Sequence, residues 1–360
     1  MKALITAGGN GTRLRPITHT LNKHLIPIGN RPMIFHVIDE VKKVGIVDIV
    51  INVNKGEKEL TKALGDGKKL GVNIKYIEQE QPLGLAHVIK IAQPLIGKNK
   101  FVYFLGDNIL AGGIKKYVND FKKNKSNCHL LLSKVKDPER FGVAEVKDGR
   151  VIRTVEKPKK FISDLAVTGI YFYDHNIFEA IKYVKPSPLS KGRMIREYDI
   201  PPAHQWLIDQ GLKVTYSEVT GWWKDTGKPQ DLLEGNQLVL SEIDTKIEGE
   251  VENTVTIQGR VRVGKGTKIT GKSFIRGPVA IGESCVIRDS YIGPFSSIGD
   301  RAELYGVEID HSIIFEDVDI HCSTRIVDSL IGANTLITPH TDTFPSGHCL
   351  IIGRDSIVEL

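Results

Sequence analysis

Gly8, Gly9 and Gly11 fall within four positions, directly after the apolar run Ala3-Leu4-Ile5-Thr6-Ala7. Glycines at such a strand end leave backbone N–H groups with no side chains to hold a ligand away, so the segment 8–12, Thr12 included, reads as an anion cradle. Arg13 adds a planar fork matched to phosphate oxygens, and Lys23 a mobile point charge. The spacing fits neither a Walker loop nor a dinucleotide fingerprint. Further along, Gly106-Asp107-Asn108 closes another apolar run. A carboxylate there suits a magnesium ion that also binds substrate phosphates. In Glu78-Gln79-Glu80-Gln81-Pro82-Leu83-Gly84, a primary amide that donates and accepts at once suits the O4/N3 edge of a pyrimidine. Gln79 and Gln81 both qualify, and Gly84 permits close approach at a helix start. Taken singly, each stretch is also what an ordinary turn or solvated loop shows.

These groups need a scaffold that gathers them. Residues 1 to about 240 alternate strand and helix patterns. Strands are expected at Ala3–Ala7, Ile46–Val53, Val72–Ile77 and Phe101–Leu105, and helices from Pro32 to about Val44 and around 57–64, 84–93 and 112–123. That rhythm predicts a doubly wound, mostly parallel sheet with helices on both faces. Ligands of such sheets bind outside the carboxyl ends of the strands, where every stretch above lies. After about residue 245 the pattern changes. Apolar residues step by six through Val263, Ile269, Ile275, Ile281 and Ile287. The series continues at Ile292, Ile298, Leu304, Ile309, Ile314, Ile320, Ile326, Ile331 and Ile337, with some steps of five. Hexapeptide periodicity predicts a parallel β-helix whose coils stack on a shared apolar axis. The expected domains are 1–242, catalytic, and 243–360, β-helix.

Composition agrees with two domains in 360 residues. Hydrophobic residues at 41% and charged residues at 26% describe an ordinary soluble protein. The +6 charge is scattered rather than gathered into a basic block, which argues for phosphorylated small molecules and against nucleic acid. Cys128, Cys285, Cys322 and Cys349 include no CxxC pair, so reduced thiols in a cytoplasmic protein are expected. No run approaches the ~20 apolar residues of a membrane span, and no signal peptide core is expected at the start.

The string GGNGTRLRPIT…NKHLIPIGNRPMI resembles the sugar-1-phosphate nucleotidylyltransferases, and looks most like their long thymidylyltransferase form. The resemblance covers nearly the whole chain and implies a left-handed hand for the β-helix. It implies metal binding by Asp107, with Asn108 nearby at the sugar phosphate. A second metal aspartate maps to Asp225 in Trp222-Trp223-Lys224-Asp225-Thr226-Gly227-Lys228-Pro229. It assigns base reading to Gln79, with Gln81 as the alternative. Asp137-Pro138-Glu139-Arg140-Phe141-Gly142-Val143 matches a family motif with Phe141 in place of tyrosine, and puts Gly142 at the sugar. Glu156-Lys157-Pro158 matches another, in which Glu156 accepts from sugar hydroxyls and Lys157 meets the sugar phosphate. Val167 borders the sugar in the strand Val167-Thr168-Gly169-Ile170-Tyr171-Phe172-Tyr173. The phosphate-binding arginine maps to Arg196 or Arg193, since the register is ambiguous there. His24, where glutamine is frequent in the short-form enzymes, is read as a capping or packing residue.

The implied activity is attack of glucose 1-phosphate on the α-phosphorus of dTTP, without a covalent intermediate, giving dTDP-glucose and pyrophosphate for deoxysugar supply. A sugar phosphate with a second pKa near ~6 is already ionised at neutral pH and needs no Ser-His pair. The obstacle is repulsion, about 4 kcal/mol per charge pair at ~4 Å and an effective dielectric of ~20. Mg²⁺ between Asp107 and Asp225, with Arg13, Lys23 and Lys157 as catalytic cations, removes it. The rival readings are a uridylyltransferase using UTP or another hexose 1-phosphate, and a bifunctional protein whose β-helix is an N-acetyltransferase with His311, His321 or His348 as base. Flat coil faces favour a homo-oligomer.

Overall fold

The computed structural model describes residues 1–188, 195–339 and 353–359. They divide into two compact units. One holds Met1–Asn10 and Ile34–Asp225, the other Gly11–Met33 and Thr226–Leu360.

The first unit is built on a nine-stranded mixed sheet. Its central strand, Lys2–Thr6, runs parallel to Asp48–Asn54 on one side and Phe101–Leu105 on the other, and Asn73–Gln79 extends the parallel half. Ala3, Leu4 and Ile5 are wholly buried, as a strand covered on both faces must be. The expected helices appear as Glu59–Leu64, Leu85–Ile96 and Lys115–Asn124, and Met33–Lys43 starts one residue after Pro32. The far half of the sheet is antiparallel about Leu165–Tyr173, which pairs with Phe101–Leu105, Cys128–Lys134 and Gly142–Lys147. The long strand loses register with Cys128–Lys134 between Val167 and Tyr171. Such an irregularity bends a strand and re-aims its side chains.

The second unit carries three stacked parallel sheets of six, six and five short strands, the arrangement of a left-handed parallel β-helix. Every member of the predicted series from Val263 to Ile320 is buried, and Ile326, Ile331 and Ile337 pack against the same core. The strand registers give the length of each coil. Val263 stacks on Ile281 eighteen residues on, Ile281 on Ile298 seventeen on, Ile298 on Ile314 sixteen on, and Ile314 on Ile331 seventeen on. Each five-residue step therefore shortens its coil by one while keeping the apolar residue on the axis. Serines inside the coils satisfy neighbouring backbone. Ser273 and Ser312 hydroxyls donate to Thr270 and Asp310 carbonyls and accept from the Ser290 and Ser329 amides of the next coil.

Candidate active site

Within the first unit, Trp223–Asp225 pairs antiparallel with Asn108–Leu110, and Asp225 lies opposite Asn108. Two strands of three residues thus bring the second aspartate alongside the segment that carries Asp107. Asn108, 2% exposed, clasps the arrangement. Its Nδ2 donates to Asp107 Oδ1 at 3.0 Å, and its Oδ1 accepts from Trp223 Nε1 at 2.7 Å and from Gly169 N at 3.2 Å. A Cβ on Gly169 would lie 2.7 Å from Leu105 and 2.8 Å from Asn108, so the strand approaches the clasp only because that residue is glycine.

Tyr171 is within electrostatic reach of all three carboxylates. Burial drives its hydroxyl far above the ordinary phenol range, and the charges of Glu156, Cys128, Asp225 and Asp107 push it further the same way. An oxygen-only set of two aspartates, one held by an amide donor, fits a hard divalent cation such as Mg²⁺.

Beside this lies a cavity of about 170 Å³ lined by Gly142, Glu156, Lys157, Val167, Tyr171 and His204 among others. Four sequence-assigned sugar residues are therefore brought together in one hollow. Gly142 leaves room for Glu156, whose Oε2 would be 3.2 Å from a Cβ there. Lys157, at φ 41° and half exposed, sits 3.3 Å from Glu156 Oε1. Arg196 is exposed and does not line the cavity, whereas Glu197 and Asp199 do. Arg193, its alternative, lies outside the described residues. His204 is fully buried, with its Nε2 2.6 Å from the Tyr173 hydroxyl. Burial holds its pKa down at about 3, so the ring is neutral.

Gln79 is buried at the end of its strand, with Nε2 donating to His87 Nδ1 at 2.9 Å, while Gln81 is exposed. Gly84 has φ 94°, and a Cβ there would lie 2.7 Å from the Tyr198 carbonyl oxygen. The helix start is thus glycine because the chain itself packs on it. Gly8 and Gly9 face two asparagines at the end of Asp48–Asn54. Asn54 Oδ1 accepts from Gly9 N at 2.9 Å, and a Cβ on Gly8 would crowd both Asn52 and Asn54 at 3.2 Å. Sequence reasoning passed over Asn52 and Asn54. Their signal was two amides at alternate positions on one strand face, at the strand end that a ligand meets.

Within the second unit, Gly11, Thr12, Arg13 and Lys23 belong to one folded segment. A Cβ on Gly11 would lie 3.2 Å from Lys23 Cβ, and the Thr18 hydroxyl donates to Gly11 O at 2.8 Å. The Arg13 guanidinium lies over Gly227, where a Cβ would be 2.8 Å from it. His24 is buried and donates from its backbone N and from Nδ1 to Asn22 Oδ1, the packing role expected of it.

In the β-helix, His311 Nδ1 contacts Asp328 and His321 Nε2 contacts Asp319. His348 and Cys349 lie outside the described residues. No described helix is long and apolar enough to cross a membrane.

A sheet of this kind, with glycines at one strand end and two aspartates brought together at another, suits ligands that bind beyond the carboxyl ends of its strands. A sequence model of the nucleotidyl transferase family matches residues 2–242, and the chain belongs to that family. It is 43% identical over its whole length to a glucose-1-phosphate thymidylyltransferase of Streptomyces antibioticus, covering 99% of that protein. It is 40% identical, over the full length of both chains, to a low-salt glycan biosynthesis nucleotidyltransferase of Haloferax volcanii. A crystal structure of a Bacillus anthracis chain described as a glucose-1-phosphate thymidylyltransferase in complex with sucrose superposes with TM-score 0.61 at 39% identity. The match covers 68% of this chain and 97% of that one.

Proposed function

We propose that the protein transfers a thymidylyl group from dTTP to glucose 1-phosphate, forming dTDP-glucose and releasing pyrophosphate. The observation that carries this reading is the pairing of Trp223–Asp225 with Asn108–Leu110, which sets two aspartates beside the cavity lined by Gly142, Glu156, Lys157 and Val167. A sugar-phosphate oxygen forms the new bond to the α-phosphorus, the α–β bridging bond breaks, and the electron pair leaves with pyrophosphate. In this reading Lys157 holds the incoming phosphate, Glu156 and Gly142 hold the sugar, and Gln79 reads the base. Arg13 and the 8–12 backbone hold the β- and γ-phosphates, and Lys23 offsets charge at the α-phosphate. Asp107 and Asp225 would hold Mg²⁺, which when bound neutralises phosphate charge and fixes the α-phosphate for in-line displacement. Residues 1–242 form the catalytic domain, and residues 243–360 serve assembly into a homo-oligomer. Its substrates place it in the cytoplasm. Pyrophosphate release with glucose 1-phosphate and competing dTTP and UTP tests the assignment. A preference for dTTP supports it, a preference for UTP moves it to the uridylyltransferases, and no release with either removes it.

A further inference from the structure

Resting on that reading, the contacts between the β-helix and the segment that carries Arg13 and Lys23 bear on the transfer reaction. The segment that carries Arg13 and Lys23 continues into a hairpin, Pro27–Ile28 paired with Arg31–Pro32. Its turn residues Gly29 and Asn30 both take positive φ, 59° and 61°, as a two-residue hairpin turn demands. Strands of two residues have no stability of their own. Something outside must hold the hairpin, and the second unit shows what does.

Asn30 Nδ2 donates to the carbonyls of Ala280 and Ile298, at 3.0 and 2.6 Å, so the turn bridges two successive coils. Asn236, on the helix Pro229–Leu240, is wholly buried. Its Oδ1 accepts from Gly29 N at 2.8 Å and from Ser297 Oγ at 2.7 Å, and its Nδ2 donates to Phe295 O at 2.9 Å. One side chain thus ties the hairpin turn to the helix and to a coil. A Cβ on Gly29 would lie 2.8 Å from Val239 Cγ1, so the turn is seated directly on the helix. The same helix follows Gly227, on which the Arg13 guanidinium lies. Lys23 opens the single helical turn Lys23–Leu25 just ahead of the hairpin. The segment that carries both cations thus meets Gly227 through Arg13 and is tied to the coils at its hairpin turn, six residues after Lys23.

We propose that Asn236, with Asn30 and Ser297, is a positioning residue that fixes the triphosphate-binding segment to the β-helix, so that the coils set the affinity for the nucleoside triphosphate. Removing the Asn236 amide takes the partner from the Gly29 N–H at the turn and from the Ser297 hydroxyl and Phe295 carbonyl on the coil, and loosens the segment that carries Arg13 and Lys23.

The test is steady-state kinetics of the full-length protein with dTTP and glucose 1-phosphate varied separately. Asn236→Ala is expected to raise KM for dTTP about 10-fold, the effect of roughly 1.4 kcal/mol, with KM for glucose 1-phosphate changed less than about 2-fold. Asn236→Asp keeps the acceptor for Gly29 and Ser297 but loses the donor to Phe295 O, so it should recover only part of the loss. Ser297→Ala, which removes one hydroxyl, should shift KM for dTTP in the same direction by a smaller factor, and stands in should Asn236→Ala fail to fold. Ser290→Ala is the control. Its hydroxyl donates to the Arg288 carbonyl at 2.8 Å and accepts from Val307 N, all within the coils, so the substitution should lower stability and leave both KM values unchanged. Wild-type kinetics in Asn236→Ala and Ser297→Ala, with reduced thermal stability alone, overturn the inference while the proposed activity stands. Absence of transfer by the wild-type protein overturns the activity instead.

Discussion

The stacked coils and the crevice of the first unit solve the burial of polar groups in opposite ways. In the coils, Ser273 and Ser312 each bind the backbone of their own coil and the next, so the same solution recurs on different rungs. In the crevice, one amide, Asn108, serves an aspartate, an indole and a strand amide at once. Nearby, Thr168 Oγ1 and His204 Nδ1 are buried with no hydrogen-bond partner. Repetition spreads stability over many similar contacts whose losses add. Convergence concentrates polar groups where a substrate can complete them, and couples their losses. The coils are built to persist and the crevice to bind, and Asn236 and Asn30 join the coils to the segment that carries Arg13 and Lys23.

That contrast can be broken at four places. The largest effect is expected at Asp225. Asp225→Asn should lower kcat by about 10³ or more while leaving the melting temperature close to wild type. A near-normal rate in pyrophosphate release would remove the carboxylate from the reaction. Next comes Ile287, wholly buried on the coil axis. Ile287→Ala should cost about 2–5 kcal/mol in urea unfolding, with the transfer rate per folded molecule unchanged. A matching drop in rate would show that the coil core and the crevice are not separable. Asn108→Ala should cost about 1–3 kcal/mol for the N–H groups left buried and also lower kcat, a double loss that Ser290→Ala in the coils should not show.

The smallest effect concerns pH. His204 has its folded-state pKa lowered to about 3 by burial, against the ordinary 6.5 of a histidine in the unfolded chain. The unfolded chain therefore binds the extra proton first. The stabilisation is full above 6.5 and is lost as pH falls from there toward 3. The slope approaches about 1.4 kcal/mol per pH unit within that window. His129, lowered to about 4 by burial, acts in the same sense. His204→Gln should flatten the dependence of the urea midpoint between about pH 4 and 6 without removing it. An unchanged slope would show that His204 does not resist protonation in the folded state.

The coils were the legible part of the chain because one apolar residue per face repeats, and the count of fives and sixes predicts each coil length. The parallel half of the first sheet was legible for a similar reason, since strands such as Phe101–Leu105 are apolar runs between helices. The strand Leu165–Tyr173 is buried at eight of its nine positions and shows no alternation, so its antiparallel pairing was hidden. The pairing that matters most joins segments more than a hundred residues apart through three residues each, too short for any period. Family motifs supplied Asp225, Gly142, Glu156 and Val167. They did not supply Asn52, Asn54, Glu197 or His204, whose place depends on which loops converge rather than on their neighbours in the chain.

The most direct trial is a double-mutant cycle on the paired carboxylates, with kcat/KM for dTTP and glucose 1-phosphate measured at saturating Mg²⁺ for Asp107→Asn, Asp225→Asn and the double variant. If the two aspartates hold one shared ion, the double variant is within a few-fold of the worse single variant, because the second loss removes nothing more. Losses that multiply would mean the two groups act independently, and would contradict the shared site.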